Sequence, residues 1–131
     1  MCDLVTEMEK NLCYNETIKH INMMEAIDMA VINIQSSNFE KEVLRSKQPV
    51  LLDFFATWCM PCKMLSPIIN EISGEYEHVK VCRIDIESEP ELARSFQIMS
   101  IPTLVYVKNG AVVDQSIGFS NKEAIQRMLE E

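Results

Sequence analysis

The sequence has little of what metal sites and polyanion binders are built from. Its two histidines, His20 and His78, lie far apart, and of the cysteines at positions 2, 13, 59, 62 and 82 only Cys59 and Cys62 are spaced as a pair. A structural zinc site needs a second cysteine pair at ligand spacing, or a histidine pair. A mixed set of Cys2, Cys13 and His20 stays open, at a spacing that matches no familiar ligand pattern. Five cysteines are an odd number and no disulfide framework. Cations are scarce as well: 12 Lys and Arg stand against 20 Asp and Glu, a net charge of −8. Phosphates find nothing there to neutralise them, which argues against nucleic acid and against anionic membrane. No apolar run is long enough to span a bilayer. The first residues, MCDLVTEMEK, are acidic where a secretory signal is basic, and no apolar segment follows them. A cytoplasmic protein is expected, in a compartment where cysteines are normally reduced.

What is present is an ordinary globular composition, 47% hydrophobic and 24% charged, on 131 residues, enough for one domain with a real core. The chain divides near residue 30. The first 30 residues contain no glycine or proline, carry six acidic and two basic side chains, and hold five of the nine methionines. Leu4, Met8 and Leu12, then Ile18, Ile21 and Met24, recur at helical spacing. This predicts one or two amphipathic helices, with a break near YNET at 14–17, as an extension that can carry a partner or self-association.

Residues 31–131 read as an alternation. VINI at 31–34 is a β-branched strand, and Ser37 with Glu40 forms a capping-box pattern that starts a helix stopped by Pro49. VLLDFFA at 50–56 is a continuous apolar run, as expected of a central strand covered on both faces. A helix from about Cys59 to Tyr76 follows, with Pro67 inside it as a kink. VKVCRIDI at 79–86 is a further strand, and Ser88 with Glu91 opens a short helix. TLVYV and AVVDQSI flank Asn109-Gly110, a strong hairpin signal. Ser120 with Glu123 caps a last helix. The order β-α-β-α-β-α-β-β-α predicts an α/β fold: a central mixed sheet with helices on both faces, parallel at the crossovers and antiparallel in the last hairpin.

Within this frame, DFFATWCMPCKMLSPII at 53–69 resembles the active-site segment of the thioredoxin family. SIPT at 100–103 resembles that family's proline loop, and Lys108-Asn109-Gly110 followed by Gly118 its closing hairpin. The resemblance covers roughly residues 31–131. It implies a thioredoxin fold, a protein-disulfide reductase with no bound cofactor, electrons supplied by a thioredoxin reductase, and disulfide-containing proteins as substrates. Four positions depart from the usual pattern: Met60 in place of glycine, Phe55 in place of a first tryptophan, Gln97 in place of glycine, and Arg83 in place of lysine.

The chemistry can be argued from the residues. Thiol-disulfide exchange needs a thiolate nucleophile, a second thiol to resolve the mixed disulfide, and access for a foreign disulfide. Cys59 falls at a helix N-terminus, where unpaired N–H groups and the helix dipole favour an anion. Pro61 suits the first turn of that helix. A spacing of three sets the two sulfurs on one face, so Cys59 is expected to attack and Cys62, one turn deeper, to resolve. The plain alternative is a pair of reduced core cysteines, which the neighbouring Trp58 and Pro61 disfavour.

Asp53 lies in mid-strand among apolar residues, where desolvation should raise its pKa. The resemblance implies that it takes the proton from Cys62, through water. It also implies a cis Ile101-Pro102 bond facing the cysteines, where the sequence alone reads as a trans-proline starting a strand. Trp58, Met60, Pro61, Met99 and Ile101 would then rim the site as an apolar, adaptable substrate surface, with Gly118 beside it. Cys82 reads as a small core residue, and Arg83 either faces Asp53 or ends in solvent. Two further functions stand beside the reductase. One is a partner-binding module of the same fold with a redox-switched contact; the other is a disulfide oxidant or isomerase, disfavoured by the acidic N-terminus.

Overall fold

The computed structural model describes residues 31–131. The expectations for the first 30 residues, including the helices and any site built on Cys2, Cys13 and His20, lie outside the described residues. The observed order is β1 (Val31–Asn33), α1 (Ser36–Phe39, continuing as a π-helical turn over Glu40–Leu44), β2 (Val50–Phe55), α2 (Met60–Glu75), β3 (Lys80–Asp85), α3 (Pro90–Ser95), β4 (Thr103–Lys108), β5 (Ala111–Ile117) and α4 (Lys122–Leu129). This is the alternation that the sequence predicts.

The five strands form one sheet in the order β1-β3-β2-β4-β5. β3 runs parallel to both β1 and β2, while β4 is antiparallel to β2 as well as to β5. Reversal therefore begins one strand earlier than the hairpin alone suggests. β2 sits at the centre, and side chains alternate across the pleat. Leu51 joins Leu65, Ile69 and Ile72 of α2 and Ile125, Met128 and Leu129 of α4 in one core layer. Leu52 and Phe54 join Val43, Cys82, Ile84, Val105 and Val107 in the other, against Phe39, Leu92 and Phe96. By the same alternation Asp53 and Phe55 point to the α2 side, and so does Arg83, whose neighbour Cys82 belongs to the opposite layer.

All three helix starts predicted from capping boxes are displaced. α1 is capped by Gln35 rather than Ser37, with Asn38 Oδ1 accepting from the Gln35 N–H at 2.7 Å. α3 begins at Pro90 with Glu89 as N-cap, not Ser88, because a proline with fixed φ and no N–H fits the first helical position. The Glu89 side chain is occupied elsewhere: its Oε1 accepts from the N–H and hydroxyl of Ser36, which ties the starts of α1 and α3 together. α4 is capped by Asn121, whose Oδ1 accepts from the Ala124 N–H at 2.9 Å, one residue after Ser120. Asparagine is at least as good a cap as serine, and the longer side chain wins the position.

In the hairpin, Asn109 (φ 52°) and Gly110 (φ 78°) both adopt left-handed backbone, as a two-residue turn between twisted strands requires. Pro67 lies inside α2, which continues through it to Glu75.

Candidate active site

β2 is buried along its length and delivers the chain to α2 through Ala56, Thr57 and Trp58. Cys59 is the N-cap of α2, Met60 its first residue and Pro61 its second. The proline is compatible with this turn because its missing N–H is one that no helical carbonyl could receive. Cys59 and Cys62 form a disulfide with Cα atoms 5.3 Å apart. The Cys62 backbone N–H donates to Cys59 Sγ at 3.2 Å. A sulfur that already caps the helix by accepting an N–H is better stabilised as a thiolate than as a thiol, and the helix dipole acts in the same direction.

Both cysteines are enclosed. Cys59 is 5% exposed and Cys62 1%, so Cys59 is the more accessible residue of the pair. They pack with Ala56, and Phe55, Ile86 and Ile101 close around them. The Ile101-Pro102 bond is cis. Ile101 lies against the cysteine pair, and Pro102 is buried. Gly118, at φ 90°, donates its N–H to the Pro102 carbonyl at 2.8 Å, which holds the end of β5 beside this loop. Trp58, Met60 and Met64 are exposed, and Met99 is 93% exposed. Neither Met60 nor Met99 turns into the core.

Asp53 is completely buried in β2 and sits opposite Arg83 of β3. Arg83 Nε donates to Asp53 Oδ2 at 3.2 Å, while Oδ1 has no hydrogen-bond partner among the described residues. Burial pushes the carboxyl pKa from 3.8 up to about 6, against the lowering effect of the Arg83 charge and hydrogen bond. Desolvation wins because the carboxylate has exchanged water for a single donor. Of the two orientations left open for Arg83, the structure takes the one facing Asp53. Its guanidinium carbon also stands 3.9 Å above the centre of the Phe55 ring. Asp53 shares the α2 side of the sheet with the helix whose first turn carries Cys62.

One contact was not legible in the sequence: Trp58 Nε1–H donates to Glu87 Oε2 at 2.8 Å, between segments 29 positions apart. Only the position of Glu87 just past a predicted strand end hinted at its nearness to the site. Cys82 is a buried free thiol whose pKa burial pushes up to about 12, so it is held as a protonated core residue. Among the described residues no group of three or more His, Cys, Asp or Glu is placed to hold a metal ion, and no helix is long and apolar enough to cross a membrane.

The sequence profile of the family described as Thioredoxin matches residues 30–131. A thioredoxin of Mycobacterium bovis is 42% identical over 108 residues, covering 82% of this chain and 93% of that protein. A thioredoxin of Rickettsia felis is 48% identical over 94 residues, covering 71% of this chain and 90% of that protein. A bifunctional thioredoxin reductase/thioredoxin of Mycobacterium leprae is 41% identical over 99 residues, covering 75% of this chain and 22% of that protein.

Proposed function

This chain belongs to the thioredoxin family and is a thiol-disulfide oxidoreductase, and on that premise we propose that it works as a protein-disulfide reductase in which Cys59 attacks and Cys62 resolves. The carrying observation is the Cys62 N–H aimed at Cys59 Sγ at the start of α2. The Cys59 thiolate attacks one sulfur of a substrate disulfide, and the other sulfur leaves as a thiolate. Cys62 then loses its proton to Asp53 and attacks Cys59 Sγ, releasing the second substrate thiol and leaving the Cys59–Cys62 disulfide. Oδ1, which has no hydrogen-bond partner among the described residues, is the Asp53 atom assigned to accept that proton, since Oδ2 is engaged by Arg83.

The substrate enters as an extended segment against Ile101 and Pro102, over a surface made by Trp58, Met60, Pro61 and Gly118. Flexible thioether side chains adapt to many apolar partners, which suits a broad substrate range. A thioredoxin reductase supplies two electrons to restore the dithiol; a relative in which the two activities share one chain supports that pairing. A cytoplasmic setting fits a dithiol that must be kept reduced. Residues 31–131 form the catalytic unit, and residues 1–30 an extension available for a partner or for self-association.

The test is reduction of insulin, driven by dithiothreitol and separately by NADPH with thioredoxin reductase. Turnover in both assays is expected. Binding of insulin without turnover would overturn the reductase reading in favour of a partner-binding module whose contact the cysteines switch.

A further inference from the structure

Arg83 does more than neutralise Asp53, because it is held from two sides. Its Nε reaches Asp53 Oδ2 at 3.2 Å, and its guanidinium carbon lies 3.9 Å over the Phe55 ring. Asp53 and Phe55 are two apart on β2 and Arg83 faces Asp53 across the β2–β3 pair, so the three side chains share one side of the sheet. The outer side of Arg83 borders an open cleft lined by Val31, Asn33, Ser66 and Asn70. The aromatic face and the Asp53 carboxylate together oppose withdrawal of the guanidinium into that cleft.

We propose that Phe55 and Arg83 form one positioning unit for Asp53, in which the ring holds the guanidinium inward and the guanidinium keeps the carboxylate oriented and ionised for the Cys62 proton. This rests on the reading of Asp53 as the acceptor of that proton. Other charged or titratable groups around Asp53 are few. β3 adds Asp85, whose Oδ1 accepts from the Glu87 N–H, and α2 adds Cys59, Cys62 and the exposed Lys63. β4 contributes Tyr106, whose hydroxyl bonds the Leu129 carbonyl. Lys122 of α4 is engaged by Glu71 and Glu75, and β1 offers only the uncharged Asn33. Arg83 is accordingly the only cation paired with Asp53 among the described residues.

Arginine matters here beyond its charge. A planar guanidinium can stack on the ring and donate sideways at the same time, which an ammonium cannot do in that geometry. Phe55→Leu should therefore weaken the hold on Asp53 while leaving Arg83 in the chain.

The experiment follows resolution of a preformed mixed disulfide on Cys59 against pH, in the full chain, with the carbon-13 shift of the Asp53 carboxyl read in parallel. Arg83→Met should move the acidic limb upward by about one pH unit or more, and Phe55→Leu by about half a unit. Arg83→Lys should fall between the parent and Arg83→Met. In the Arg83→Met background, Phe55→Leu should produce no further shift. Limbs that stay in place, or shifts that add independently, overturn the unit. Asp53→Asn separates this from the underlying reading: an acidic limb that survives it shows that Asp53 is not the acceptor. A limb lost in Asp53→Asn but unmoved in the Arg83 and Phe55 variants defeats the positioning unit alone.

Discussion

The Trp58 indole, largely exposed to solvent, is fixed by one charge-assisted hydrogen bond to Glu87 at 2.8 Å. An exposed aromatic side chain held in one orientation presents a preformed surface, and binding then loses less side-chain freedom. Glu87→Ala should release the ring without touching the cysteines. KM for a protein disulfide is expected to rise roughly two- to tenfold, with little change in turnover of a small disulfide. Trp58 is the only tryptophan, so a fall in its fluorescence anisotropy reports the release directly. Unchanged anisotropy would show that packing, not Glu87, orients the ring.

The asymmetry of the cysteine pair makes a second prediction. Only Cys59 Sγ receives a backbone N–H at the helix start, and Cys59 is the more exposed residue of the pair. Cys59→Ser should reduce disulfide reduction to background. Cys62→Ser should instead accumulate a covalent complex with substrate, visible on a non-reducing gel. Covalent capture by Cys59→Ser would reverse the two roles.

A buried carboxyl with a raised pKa makes stability depend on pH in a definite direction. Asp53 titrates near 6 in the folded protein and near 4 in an unfolded chain, so between those values the native state binds the extra proton. Its stabilising effect is complete below about pH 4, declines through pH 6 and is gone above it. The loss amounts to about 3 kcal/mol, from a shift of roughly two units. Asp53→Asn should therefore be more stable than the parent at pH 8, match it more closely at pH 4, and resolve mixed disulfides more slowly. Urea melts at the two pH values decide it; an Asn variant that melts earlier at pH 8 would mean the ion pair with Arg83 outweighs desolvation.

The architecture was legible because its signals are local and repeated. The apolar run Val50–Phe55, the Asn109-Gly110 turn and the cysteine spacing each restrict the chain within a few residues, and each is found as expected. The helix starts are displaced because neighbouring polar residues compete for the caps of α1 and α4, while Pro90 fixes the first position of α3. Their contest is settled by tertiary contacts such as Glu89 reaching Ser36. Pairing at the site escaped for a similar reason. Phe55 and Arg83 could each be marked as departures from the family pattern, but only strand register brings the ring and the guanidinium together. Glu87 is marked only by its position just past a strand end, which does not name Trp58 as its partner.

Gln97 shows what such a departure does to stability. It follows α3 with φ 57°, a left-handed conformation in which a side chain is crowded and glycine is not. Gln97→Gly should raise stability by about 1 kcal/mol, read as a higher urea midpoint at unchanged slope. A lower midpoint would mean that the Gln97 side chain makes compensating contacts.

Among the described residues, β1 pairs with β3 from its first residue, Val31, which already belongs to a core layer. The family match begins at residue 30. A chain of residues 31–131 should thus unfold cooperatively and reduce insulin at close to the rate of the full chain. Association is what removal of residues 1–30 should change, because Leu4, Met8, Ile18 and Ile21 recur there at helical spacing. Light scattering and insulin reduction on both chains separate the outcomes. Failure of the shorter chain to fold would make the extension part of the core. A folded but inactive chain would place the extension's role at the active site, since the Cys59–Cys62 pair itself remains in the shorter chain.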